Sequence, residues 1–198
     1  MPIIVDKEKK RESIALACRQ MLLEGDINTL TISAIAKEAG IGKGTFYEYF
    51  ANKEELLFTL VEILMRDYNG SQEQKLSTCA TTREKIKCFA GFFYEKESRE
   101  LRVLYKKFIG ISLLHENEEM RKFQTGCLEY YYVWFTRLIE EGIAKGEIIP
   151  QTQQMAKGLF AMAKGMFLMA ETTDGIDDLQ EEIEHFTDEL FDIVERRA

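Results

Sequence analysis

Two prolines in 198 residues, Pro2 and Pro150, leave nearly the whole chain free of the residue that most reliably breaks a helix. Leu, Ile, Ala, Glu, Lys and Met supply much of the rest, a composition that sustains helices. The sequence therefore predicts an all-α protein. Its length suits one sizeable core, or a small domain joined to a larger one. No internal repeat is visible.

Hydrophobic spacing places about nine helices. The first runs from Lys7 to Glu24, with Ile14, Ala17, Cys18, Met21 and Leu22 on one face and Gly25-Asp26 as its stop. Thr31 is positioned to cap a short second helix, and Gly40 to turn the chain after it. A third short helix spans Lys43 to Phe50. Asn52 and Glu55 form a variant capping box for a fourth, expected to end near Asn69-Gly70. The polar stretch Ser71 to Thr82 then reads as a linker. Further helices are expected from Thr82 to Lys96, Arg99 to His115, Glu118 to Lys145, Gln153 to Thr172 and Asp178 to Arg196.

The net charge of −8 argues against indiscriminate binding to nucleic acid, but it is unevenly spread. Residues 1–53 hold eight Lys/Arg against seven Asp/Glu, a balance of +1, so the remainder carries −9. A near-neutral segment with a basic opening, attached to an acidic body, suits a polyanion partner at one end only. Cys18, Cys79, Cys88 and Cys127 show no metal-type pairing, and no signal peptide or membrane-length apolar run is present. A cytoplasmic protein with reduced thiols is expected, with no membrane association, metal or cofactor.

The stretch Ala39 to Phe50, AGIGKGTFYEYF, first suggests a nucleotide phosphate loop. A Walker loop needs a glycine where Lys37 stands and Ser or Thr where Gly44 stands, and it must follow a strand. Neither residue fits, and the preceding segment has helical periodicity. A helix-turn-helix accounts for the same residues better. Ile32, Ile35, Ala36, Ile41, Phe46 and Phe50 supply its inner face. Gly42 and Gly44 clear space for close approach, at about 1 kcal/mol of helix propensity for a helical glycine. Lys43, Thr45, Tyr47, Glu48 and Tyr49 remain exposed, and all but the acid can meet phosphates or base edges.

From Thr31 to Leu56 the sequence closely resembles the DNA-binding signature of the TetR/AcrR family of bacterial transcriptional repressors. Leu138 to Ile148 resembles that family's long seventh helix and its exit. The resemblance implies a helix-turn-helix domain over 1–53, a linking helix over 53–69 and a ligand-binding and dimerisation domain over 70–198. It further implies that Thr31 holds a phosphate and that Lys43, Gly44 and Thr45 enter the major groove. Tyr47, Tyr49 and Lys53 would hold the sugar-phosphate backbone. Where Gly42 stands many members have Ser or Thr, and where Tyr49 stands many have His.

In the C-terminal part, Met155 to Ala170 is apolar almost all round, which requires burial on both sides. Met155, Leu159, Met162 and Met166 are assigned to the subunit's own core. Gly158, Ala161 and Gly165 form a small-residue stripe for a partner helix, joined by Leu179, Ile183, Phe186 and Leu190 of the last helix in a homodimer interface. The resemblance implies that Phe89, Phe93, Phe108, Tyr131, Trp134, Phe135, Met162 and Met166 lie on helices around a ligand pocket, suggesting an aromatic or hydrophobic effector; ordinary core packing is the alternative for each. The function expected is a repressor that binds a near-palindromic DNA operator as a homodimer and is released by a small molecule. A small helical enzyme or a ligand-binding adaptor is the alternative. His115 and His185 stand isolated, with no nucleophile elbow to make a catalytic site.

Overall fold

The computed structural model describes residues 7–196; residues 1–6, which include Pro2, and residues 197 and 198 lie outside the described part. The described residues form ten α-helices and two short 3-10 turns, with one isolated β-bridge between Ile148 and Glu195. They pack as two compact units. One runs to Asp67 and includes Val103–Met120; the other comprises Tyr68–Arg102 and everything from Arg121 onward.

The first unit contains α1 (Lys7–Ala17), α2 (Arg19–Glu24), α3 (Ile32–Glu38), α4 (Lys43–Tyr49) and the first part of α5 (Lys53–Thr78). The single first helix expected from Lys7 to Glu24 is divided at Cys18, whose ψ of 3° departs from helical geometry. The hydrogen-bond ladder crosses the break, because Leu22 N–H still donates to the Cys18 carbonyl at 2.9 Å. Cys18 is itself buried, and its thiol donates to the Ile35 carbonyl at 3.6 Å. Burial pushes that thiol up to about 11, so it stays protonated. The core here is made by Ile14, Leu22, Ile35, Phe46, Phe50, Leu56, Leu57 and Leu60.

α5 corrects the expected linker. It runs through Gly70 without a break and ends only at Thr78, so most of Ser71 to Thr82 is helix. Burial explains this better than composition does. Gln72 and Leu76 are buried on one face of its last turns, and the Ser77 and Thr78 hydroxyls donate back to the Gln74 and Lys75 carbonyls at 2.7 Å each.

The second unit continues with α6 (Thr82–Ala90), which opens on a full capping box between Thr81 and Glu84. It ends earlier than its expected limit at Lys96, passing into 3-10 turns at Gly91–Phe93 and Lys96–Ser98. Arg102 takes up the carbonyls freed there, donating to Phe92 O at 2.9 Å and Glu95 O at 2.6 Å. α7 (Arg99–Leu114) and α8 (Glu118–Ala144) contribute residues to both units. α8 closes on Gly146 at φ +75°, with Glu147 N–H reaching back to the Gly142 carbonyl at 2.9 Å. α9 (Thr152–Thr172) and α10 (Leu179–Val194) complete the unit, and Asp178 caps α10 by accepting from Glu181 N–H at 3.1 Å. Leu76, Ile86, Phe135, Leu138, Ile139, Ile148, Ala156, Phe191 and Val194 form its main core.

Candidate DNA-binding and effector sites

α3 begins on Thr31, whose hydroxyl accepts from Ala34 N–H at 3.2 Å. It ends in a glycine-dependent turn. Gly40 adopts φ +66°, Gly40 N–H donates to Lys37 O at 3.1 Å, and Ile41 N–H donates to Ala36 O at 2.9 Å. That pair of reversed bonds satisfies the last carbonyls of α3 and redirects the chain into α4. Gly42 then stands at the N-cap of α4 with no side chain to close the first turn. A methyl group at Gly44 would meet nothing within 4 Å, and one at Gly42 only Thr45 Oγ1 at 3.8 Å, so both positions have room for a side chain.

α4 divides cleanly into two faces. Phe46 is fully buried, as is Phe50 just beyond the helix, with ring centres 5.4 Å apart. Lys43, Gly44, Tyr47 and Glu48 are exposed, Tyr47 to 54%, while Thr45 and Tyr49 are half-buried. The edge of Tyr47 packs on Phe46, with ring centres 5.6 Å apart at 88°. An aromatic ring is thereby held on the outer surface by one in the core.

Arg11 of α1 holds the far end of α4. Its guanidinium donates to the Tyr49 carbonyl, lies 4.7 Å from the Phe50 ring centre, and reaches Thr59 Oγ1 at 3.3 Å and Glu55 Oε2 at 3.9 Å. Sequence reasoning counted Arg11 only as part of a basic opening. Nothing in its local spacing announces partners 38 to 48 residues away.

Lys53 is occupied within the unit. Its ammonium donates to the carbonyls of Asn28 at 3.0 Å and Leu30 at 3.2 Å, tying α5 to the loop that precedes α3. Asn52 caps α5 by accepting from Glu55 N–H at 2.8 Å, and Glu55 reaches back to Ala51 N–H at 2.8 Å. The reciprocal bond thus falls one residue earlier than a standard capping box would place it. In the same unit, Lys107 of α7 donates to the carbonyls of Leu22, Leu23 and Gly25 at 2.8, 2.6 and 2.6 Å. Burial lowers its pKa from the ordinary lysine value.

The second unit holds a pocket of about 40 Å³, lined by α6 and the 3-10 turn after it, α8, α9 and α10. Four of the expected pocket residues border it: Phe89, Phe93, Phe135 and Met162. Met166 packs beside it against Ala90, Ala163 and Ile183. Tyr131 and Trp134 stack on one another with centres 6.3 Å apart, and Trp134 meets Phe89 edge-on at 5.6 Å. Phe108 is a correction: it lies in the first unit, edge-on to Phe58 with centres 6.1 Å apart, because the middle of α7 packs there. Phe160 and Phe191 also line the cavity and were missed. Phe160 could have been found from helical spacing, since it shares a face with Ala156 and Ala163.

Three buried polar atoms have no partner among the described residues: Tyr68 Oη, Gln72 Oε1 and Thr152 Oγ1. Thr152 is only 1% exposed and borders the cavity, where the other lining side chains are apolar. Gln72 spends its amide N–H on the Cys88 carbonyl, which fixes its oxygen as the acceptor left over. Burial is the largest influence on Tyr68 and Tyr131, and it pushes both phenols well above the usual range.

Gly158, Ala161 and Gly165 are exposed along one side of α9. Met155 stands among them and not in the core to which its spacing assigned it, with Leu168 and Met169 further along the same side. On α10 the expected interface divides. Ile183 is 0% exposed and belongs to the subunit's own core, and Leu190 borders the cavity. Leu179 and Phe186 are half-buried, and Ile193 is exposed. Among the described residues there is no group of His, Cys, Asp and Glu placed for a metal ion, and no helix long and apolar enough to cross a membrane.

Comparison with known proteins agrees with this geometry. Residues 14–60 match the model of bacterial regulatory proteins of the tetR family. The chain is 28% identical, over 72% of its length and 72% of the relative's, to a fatty acid metabolism regulator protein of Bacillus subtilis. Its fold matches a TetR-family transcriptional regulator from Cytophaga hutchinsonii with a TM-score of 0.79, at 14% identity over 98% of this chain and 99% of that one. It also matches FadR from Bacillus subtilis in complex with stearoyl-CoA, with a TM-score of 0.66 at 25% identity over 90% and 96% of the two chains. The helix-turn-helix at Thr31–Phe50 lies inside the segment that matches the tetR-family model, and the family match, the relatives and the fold together support a TetR/AcrR family transcriptional regulator.

Proposed function

We propose that the protein is a repressor that binds a near-palindromic operator as a homodimer, with α4 of each subunit in the major groove. The observation that carries this reading is the division of α4 into a fully buried Phe46–Phe50 face and an exposed row of Lys43, Gly44, Tyr47 and Glu48. Lys43, Gly44 and Thr45 approach base edges or nearby phosphates. Thr31, Tyr47, Tyr49 and Lys53 hold the backbone, which fixes register without reading sequence. Lys53 reaches a phosphate only by sharing or leaving its bonds to Asn28 and Leu30. A two-fold dimer through the exposed side of α9, with Leu179 and Phe186 of α10, would present two such helices to half-sites about 34 Å apart, or a multiple of it.

The effector is a small hydrophobic molecule bound in the second unit, where Phe89, Phe93, Phe135 and Met162 surround the apolar cavity. The complex of the related FadR with stearoyl-CoA makes a long-chain acyl compound the first to try. Binding that favours one dimer arrangement over another must weaken operator binding, and the operator must weaken effector binding by the same factor.

A mobility-shift titration with the DNA upstream of the gene tests the DNA reading. The expected result is a salt-sensitive, sequence-selective shift, reversed by the effector. A shift equally strong on unrelated DNA, or none at moderate salt, would exclude the repressor.

A further inference from the structure

Cys79, the first residue beyond α5, and Cys88, in the last turn of α6, are both free thiols and both half-buried. Both sulfurs lie against the last turns of α5, near enough to one another to interact. Separate contacts with α5 bring each of them to this point. Cys79 Sγ folds back along the helix to donate to the Lys75 carbonyl at 3.5 Å. Gln72, one turn earlier, donates through its amide to the Cys88 carbonyl and lies 3.7 Å from Cys88 Sγ. The other two cysteines are placed differently, Cys18 inside the first unit and Cys127 on α8.

We propose that Cys79 and Cys88 are an oxidation site that closes reversibly into a disulfide, tying the end of α5 to α6. The sulfurs must close to about 2.05 Å, which requires a backbone shift. Cys79 can supply it, because it lies beyond the last residue of α5. The division of labour follows from environment. Burial is the largest cause that pushes the Cys88 thiol up to about 12, which disfavours the thiolate needed for the first attack and leaves Cys88 the second step, in which it gives up its proton.

With a peroxide as oxidant, the Cys79 thiolate attacks one peroxide oxygen and the O–O bond breaks. The sulfur becomes a sulfenic acid, and the departing oxygen leaves as water with the thiol's proton. Cys88 then attacks the Cys79 sulfur, the S–O bond breaks, and the second oxygen leaves as water with the Cys88 proton. Two thiols are oxidised by two electrons, and one peroxide is reduced to two waters. A thiol reductant reverses the bridge. Because Ile86, Phe89 and Ala90 of α6 line the apolar cavity, the bridge stiffens one wall of the cavity without touching α4.

The full-length reduced protein treated with hydrogen peroxide or diamide, unfolded, alkylated with N-ethylmaleimide and digested with trypsin gives the test. The expected product is a dithiothreitol-sensitive link between peptides 76–83 and 88–96, with Cys18 and Cys127 alkylated. The intact chain should have lost two hydrogens, and Cys79→Ser or Cys88→Ser should each abolish that loss. Oxidised wild-type protein should also melt a few degrees higher than reduced. Alkylation of both Cys79 and Cys88 after oxidation would overturn the proposal. So would their conversion to sulfinic acids without a link, or a link only between chains through Cys127. None of these readouts depends on DNA or effector, so the disulfide stands or falls apart from the repressor reading.

Discussion

Arg11 and Phe50 form a cation–π pair, with the guanidinium carbon 4.7 Å from the ring centre, while the same guanidinium donates to the carbonyl of Tyr49. One side chain of α1 thus fixes both the last carbonyl of α4 and the aromatic residue that follows it. Arg11→Met should lower stability by about 1–2 kcal/mol, from the lost cation–π contact and the charge-assisted hydrogen bond. Operator affinity should fall equally on matched and mismatched sites. Urea unfolding and a binding titration on both DNAs measure the two effects.

Thr45 and Lys53 should separate by kind of contact. Thr45→Ala should change preference at one base step, at about 1–3 kcal/mol per lost base contact. Lys53→Ala should weaken binding to all sequences, flatten the salt dependence by about one unit, and loosen the Asn28–Leu30 loop it now holds. Binding isotherms across salt concentrations, on a set of single-base operator variants, distinguish the two. Identical behaviour would refute the assignment.

Gly142 is required by packing. A methyl group there would lie 2.4 Å from Thr82 Oγ1 and 3.0 Å from Thr82 Cβ, and Thr82 is itself buried at the start of α6. Gly142→Ala should destabilise by about 1–3 kcal/mol through overpacking. Adding Thr82→Ala should recover part of that loss, and a double-mutant cycle in denaturant reads the coupling.

Thr152 has a buried hydroxyl with no partner among the described residues, beside an apolar cavity. Thr152→Val exchanges it for a methyl of nearly the same shape. Stability should hold or rise, by up to about 1 kcal/mol. A loss of effector response without loss of stability would show that the hydroxyl is used by the ligand.

Glu147 predicts an acid-side change. Its carboxylate accepts from Thr82 N–H at 2.6 Å, and hydrogen bonds from Thr82 hold its pKa below the ordinary glutamate value. A depressed folded pKa means stability that is fully present above the unfolded value of about 4.3 and is lost as pH falls through the folded one. Glu147→Gln should flatten that part of the stability profile. Melting curves from neutral pH down into this range, compared between the two proteins, check it.

The helix-turn-helix was legible because its signals are local. Thr31, Gly40 and the Phe46–Phe50 spacing each act within a few residues, and each has the role its chemistry dictates. The linker was misread because Ser71 to Thr82 is polar in composition, while Gln72 and Leu76 are held by partners distant in sequence. Lys53 and Lys107 were opaque because their partners are backbone carbonyls, which carry no residue identity, and Arg11 because its partners lie 38 to 48 residues away. The pocket was half legible. Aromatic content marked Phe89, Phe93 and Phe135, but whether α7 carries Phe108 to one unit or the other is decided by packing alone.

The turn at Gly40 has a consequence for how such a protein can change its target. The direction of α4 is set by a left-handed backbone residue, two backbone hydrogen bonds and two buried rings, none of which belongs to the exposed row. Aim and vocabulary are therefore held by different residues. If α4 reads DNA as proposed, Lys43, Gly44 and Thr45 can be exchanged to address another DNA sequence while the frame that points them stays the same.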